Sequence, residues 1–147
     1  MLTGSNTMLG DGFGSALVAQ QNFVIVGAPG AGGKGAAYVF ANLQNGWREV
    51  GILSLPDGAP GDEFGARLAA TAEVLLVGVP GRDSARGAVA AYRSDGMGTP
   101  DAVFTAANDQ PGDRFGAALV VQGDLALIGA PGPAPGGFLG GPQPKPG

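Results

Sequence analysis

The stretch Gly61-Asp62-Glu63-Phe64-Gly65 decides how the chain is read, because its pattern occurs three times. The other copies are Gly10-Asp11-Gly12-Phe13-Gly14 and Gly112-Asp113-Arg114-Phe115-Gly116, so the phenylalanines stand at 13, 64 and 115, one interval of 51 residues repeated. A second marker keeps that interval: Gly27-Ala28-Pro29, Gly78-Val79-Pro80 and Gly129-Ala130-Pro131. Two markers locked to one period define an internal repeat, and a repeat sets the architecture before local propensity is weighed. Function must then be argued from sites and not from the scaffold.

Between the markers lie apolar, β-branched segments separated by turn residues. The first unit has segments at 15–19, 23–26, 36–40 and 47–53, with Asn45-Gly46 between the last two. Asn-Gly is a hairpin signal because both residues tolerate positive φ. The second unit repeats the plan, and Asp95-Gly96 stands where Asn45-Gly46 stood. The third stops after two segments. The spacing predicts strands at 15–19, 23–28, 36–41, 47–54, 66–70, 74–79, 88–92, 101–105, 117–121 and 124–130. Four short antiparallel strands in a unit of about 50 residues is the plan of a β-propeller blade. The chain is therefore read as all-β, about two and a half blades of a partial or open propeller. Repeats fill 1–131, in units starting near 13, 64 and 115, and a Gly/Pro-rich tail, 132–147, is expected to be disordered.

Physical roles follow for the repeated residues. A small sheet that is apolar on both faces buries them only against neighbouring sheets. Phe13, Phe64 and Phe115 are expected to fill equivalent buried positions between units. Gly14, Gly65 and Gly116 permit positive φ or close approach of another backbone. Asp11, Asp62 and Asp113 are expected to cap their turns. Gly27 and Pro29, Gly78 and Pro80, and Gly129 and Pro131 close the second strand of each unit. Residues 1–10 offer only a weak strand, and the prolines after Gly132 cannot complete a third sheet. Both end faces are thus expected to be bare and uncapped. Two and a half blades fall short of the four to eight of a closed ring. Self-association, or pairing with further propeller blades in a longer protein, is expected.

Phe13-Gly14 with Gly27-Ala28-Pro29, and Phe115-Gly116 with Gly129-Ala130-Pro131, resemble FG-GAP repeats, the blades of integrin α-subunit heads and of many bacterial extracellular proteins. The second unit departs by carrying Val79 in place of the alanine. Gly35-Ala36-Ala37-Tyr38-Val39-Phe40 and Trp47 are similar to the bacterial form, and the resemblance covers roughly residues 10–131. It implies a non-enzymatic module, extracellular or at the cell surface, that binds protein or glycan or serves a structural role. The family often holds calcium in a DxDxDG loop between its two markers. Here those intervals contain only Glu73 and Asp124 as acids. Calcium takes six to eight oxygens, usually from several carboxylates, so neither calcium nor any other cofactor is expected.

Composition narrows the alternatives. The net charge is −4 and there is no basic stripe, which argues against nucleic acid. With no cysteine and no histidine, disulfides, thiolate metal sites and the commonest general base are all missing. No apolar stretch has the length of a membrane span, and no signal peptide is visible at the start. Gly30-Ala31-Gly32-Gly33-Lys34-Gly35 matches G-x-G-x-x-G, but strand formers follow it where a phosphate cradle needs a helix. It is read as a hairpin loop. Its counterpart is Gly81–Gly87, and Lys34, Arg82, Asp83 and Arg86 are the candidate recognition residues of these two loops, since recognition is commonly placed on variable loops of a constant scaffold. Tyr38 and Trp47 are read as packing residues. The alternative function is a polysaccharide-acting hydrolase or lyase using paired loop carboxylates, which requires two carboxyls close together.

Overall fold

The computed structural model describes residues 1–93 and 97–132. Asp95-Gly96 and the tail from residue 133 lie outside them. Among the described residues ten strands form: β1 Ala16–Gln20, β2 Phe23–Ala28, β3 Ala36–Leu43, β4 Gly46–Leu53, β5 Leu68–Ala70, β6 Val74–Val79, β7 Ala88–Arg93, β8 Ala102–Phe104, β9 Ala118–Gln122 and β10 Leu125–Gly129. Each expected strand is present, with ends that coincide or shift by at most two residues. Among the described residues helix is confined to a 3-10 turn at Ala31–Gly33 and one turn at Arg82–Ala85, each between the second and third strand of its unit. No helix among the described residues is long and apolar enough to cross a membrane.

The strands make three antiparallel sheets in sequence order, β1-β2-β3-β4, β5-β6-β7-β8 and the hairpin β9-β10. These are blades of four antiparallel strands, two complete and one half. Register decides which residues share a face. Ile25 lies opposite Val39, and Ala37 opposite both Gly27 and Leu53. That face of the first blade meets Leu75, Val77, Val79, Ala88, Ala90 and Tyr92 of the second, with Leu55 and Phe64 between them, in one buried cluster. The second blade's other face carries Ala69, Leu76 and Val89, all buried, and turns toward β9.

The outer face of the first blade corrects the expectation that it is bare. Val26, Ala28, Ala36, Tyr38 and Phe40 form a second buried cluster there, covered by Leu2 and Phe13. The N-terminal segment is held down by polar contacts. The Tyr38 hydroxyl donates to Asn6 Oδ1 at 2.6 Å, and Ser5 donates through its amide and its hydroxyl to Glu49. A segment without strand pattern thus serves as a cap, because hydrogen bonds to an exposed sheet do not require it to be a strand. The expectation for Trp47 is also corrected. Tyr38 is buried, but Trp47, on the edge strand β4, is 40% exposed. The three phenylalanines differ as well: Phe64 is 1% exposed, whereas Phe13 and Phe115 are half-buried.

Candidate functional site

The repeated motif gathers at one end of the blades as a hub of backbone contacts. Within each unit the glycine after Phe donates its N–H to the first glycine of the Gly-x-Pro marker: Gly14 to Gly27, Gly65 to Gly78 and Gly116 to Gly129, all at 3.0 Å. Between units, Phe64 N–H donates to the Lys34 carbonyl at 3.1 Å, and Phe115 N–H to the Arg86 carbonyl at 2.9 Å. The glycine requirement is steric. A Cβ on Gly27 would collide with the Gly65 carbonyl, and one on Gly78 with the Gly116 carbonyl. The two markers of the repeat are therefore the two sides of one blade-to-blade contact.

The aspartates complete the hub. Asp11, Asp62 and Asp113 each accept, through Oδ2, the N–H of the residue three positions earlier: Met8 at 2.7 Å, Ala59 at 2.9 Å and Gln110 at 2.8 Å. The side chain reaches back along the chain, the reverse of an Asx-turn. The aromatic geometry also repeats. Phe13 meets Phe40 edge-on at 6.2 Å and Phe64 meets Tyr92 edge-on at 6.3 Å. Phe40 and Tyr92 occupy the same place in their blades, since Phe40 pairs with Val24 and Tyr92 with Leu75, one period on. The substitution of Tyr for Phe leaves the Tyr92 hydroxyl buried without a hydrogen-bond partner among the described residues. Burial pushes its pKa up to about 12. The Tyr38 pKa is also raised, first by burial and then by the charges of Asp11 and Glu49.

The two candidate recognition loops lie at this end. In the first, Gly32 and Gly33 take the positive φ values that the turn demands. The second is one residue longer, and there Asp83, Ser84 and Ala85 hold φ of 52°, 57° and 60° without being glycine. Each left-handed residue of this kind costs on the order of 1 kcal/mol. The conformation aims carbonyls at the third unit: Gly112 N–H donates to Ser84 O, and Arg114 N–H to Ala85 O. Arg82 joins the loop to its own unit, 2.7 Å from Asp57 and 3.2 Å from Asp62. Arg86 pairs with Asp83 and Asp109. Lys34 has no ion pair among the described residues.

A further pair was legible in the sequence but not drawn from it. Glu63 and Arg114 occupy the variable position of consecutive motifs and meet at 2.6 Å. Opposite charges one period apart were the signal. Among the described residues no three acidic side chains gather as a metal centre would require. Asp57 and Asp62 do approach one another across Arg82. The Arg82 hydrogen bond and charge hold the Asp57 carboxyl below its usual range, the opposite of what a general acid needs.

Stacked four-stranded blades, joined by a Phe-Gly hub seated on a Gly-x-Pro turn, define a β-propeller repeat protein. The chain belongs to the FG-GAP repeat family: the FG-GAP repeat model matches residues 1–40 and 47–93, the first two units. Comparison with curated proteins gives no match.

Proposed function

We propose that the chain is a non-enzymatic docking module of extracellular type, whose third unit takes the face of another FG-GAP blade. One observation carries this reading. Inside the chain, Ala69 and Leu76 of the second blade are 8% and 6% exposed beneath the third unit, while their counterparts one period on, Val120 and Leu127, are 59% and 62% exposed. The third unit carries the same apolar pattern and has no neighbour on it among the described residues. Among the described residues the edge of β10 is likewise unpaired, where β2 and β6 each pair with a third strand. A face of this type is rarely left open on a soluble monomer. The occupant is a blade because the chain's own blade contacts fit this pattern, supplied by a second copy or by further repeats.

The Gly30–Gly35 and Gly81–Gly87 loops offer the surface for a protein or glycan partner, with Asp83 and Ser84 exposed, Lys34 half-buried, and Arg82 and Arg86 bracing the second loop. Paired-carboxylate hydrolysis is the less supported reading, given the direction of the Asp57 shift. Catalysis by calcium or another cofactor is not part of the proposal, and the melting temperature is expected to be unchanged by millimolar calcium or by chelator. The test is multi-angle light scattering on the purified chain. Assembly, or non-cooperative unfolding at low concentration, is expected. Leu127→Lys should abolish the assembly. A cooperatively folding monomer at all concentrations overturns the proposal.

A further inference from the structure

At the end of the blades opposite the motif hub, the first two blades part to form a cleft of about 210 Å³. It lies between two hairpin turns, Gln20–Phe23 and Ala70–Val74, and Met97 adds a wall. Its floor is apolar, formed by Ile25, Leu75 and Val74, and its rim carries side-chain amides and a hydroxyl: Gln20, Gln21, Asn22 and Thr71. Among the described residues no charged side chain lines it. The Phe23 ring stands at the mouth, 42% exposed.

The first turn is built against its own stability. Gln21 holds φ 45°, and the residue two periods on, Gly123, holds φ 58°. The third unit thus uses glycine where the backbone is left-handed, and the first unit uses a glutamine. A residue with a Cβ is disfavoured there, and strain of this kind collects at binding sites. The corresponding turn of the second unit reads Thr71-Ala72-Glu73-Val74, without the amides and without the aromatic ring. Gln21, Asn22 and Phe23 are therefore peculiar to the first turn and are no requirement of the scaffold.

We propose that this cleft binds one residue of a neutral sugar. The assignment follows from chemistry. A pyranose presents an apolar C–H face, which an exposed aromatic ring receives, and vicinal hydroxyls, which need paired donors and acceptors. Gln20 Nε2 is engaged with the Ala70 carbonyl at 3.2 Å, which leaves its Oε1 to accept. Thr71 Oγ1 accepts the N–H groups of Glu73 and Val74, which leaves its proton to donate. Gln21 and Asn22 supply both functions. The lack of a charged side chain among the described lining residues disfavours a phosphate or an acidic sugar. The volume is below the roughly 300–1,000 Å³ of sites for drug-sized ligands, which limits the occupant to a single ring.

The experiment is a titration of the ¹⁵N-labelled full chain with glucose, galactose, mannose and N-acetylglucosamine, with glucuronate and isobutanol as comparison probes. At least one neutral sugar should shift the amides of Gln21, Asn22, Phe23 and Thr71 with millimolar or tighter affinity. Phe23→Ala should weaken binding tenfold or more. Gln21→Gly should weaken binding while raising the melting temperature, a combination that a merely structural Gln21 would not give. The proposal is overturned if no neutral sugar shifts these amides at tens of millimolar, or if the shifts survive both substitutions. It is equally overturned if isobutanol alone shifts them, which assigns the cleft to an apolar side chain. Light scattering in the same samples reads the docking proposal separately.

Discussion

The contact between the first and second blades and the outer face of the third unit are written in nearly the same residues, yet they have opposite fates. Gly27 is sealed by the Gly65 carbonyl, while the nearest atom to a Cβ on Gly129 is the Ala118 Cβ, at 3.0 Å. Ile25 is buried, and its counterpart two periods on, Leu127, is open. The difference teaches that a repeat specifies a contact only as a pair: the motif of one unit has meaning when the next unit brings its partner surface. This is the nearest-neighbour energetics expected of stacked repeats.

The largest expected effect is at the centre of that contact. Phe64→Ala should cost about 3–5 kcal/mol, the range for a fully buried phenylalanine. Half-buried Phe13 and Phe115 should cost clearly less on truncation. Chemical denaturation of the three variants reads the ranking, and equal costs would break the comparison.

Gly27→Ala forces a methyl into a backbone carbonyl and should cost about 1–3 kcal/mol, the range for overpacking. Gly129→Ala, which meets only the Ala118 Cβ at 3.0 Å and no backbone carbonyl closer than 3.8 Å, should cost clearly less. Thermal melts of the two variants sharpen the contrast directly, because the substitution is chemically identical at both sites.

Tyr92 tests the interior by pH. Its folded-state pKa of about 12 lies above the ordinary tyrosine value of about 10. Below pH 10 the phenol is protonated in both states and stability does not depend on it. Between pH 10 and about 12 the unfolded state releases the proton and the folded state keeps it, so stability falls by about 1.4 kcal/mol per pH unit. Tyr92→Phe should flatten this part of the pH profile. It should leave stability at pH 7 unchanged or higher, since a buried hydroxyl without a partner is removed. An unaltered alkaline profile would show that the hydroxyl is not shielded.

The smallest effect is expected from Glu63 and Arg114. Both side chains are more than a third exposed, so a double-mutant cycle should give a coupling below about 1 kcal/mol, weakened by salt. A larger coupling would mean that the charge at the variable motif position sets the order in which blades stack.

The period of 51 residues determined the blade, the ten strands and the Phe-Gly hub, because a repeated pattern of apolar runs and turn residues leaves few ways to pair strands locally. The glycines of the two markers could be named from sequence, since positive φ and close approach are local demands. Other features required the packed chain. The N-terminal cap has no strand pattern and acts through Asn6, Ser5 and Leu2, whose partners Tyr38 and Glu49 lie more than thirty residues away. Trp47 carries a packing residue's chemistry, but the edge of a sheet left it open. The cleft rimmed by Gln20, Gln21 and Asn22 exists only because a turn of one blade faces a turn of the next, and no spacing in the sequence records where two surfaces part. Local preference travels with the residue, whereas burial belongs to whatever neighbour the fold brings to it.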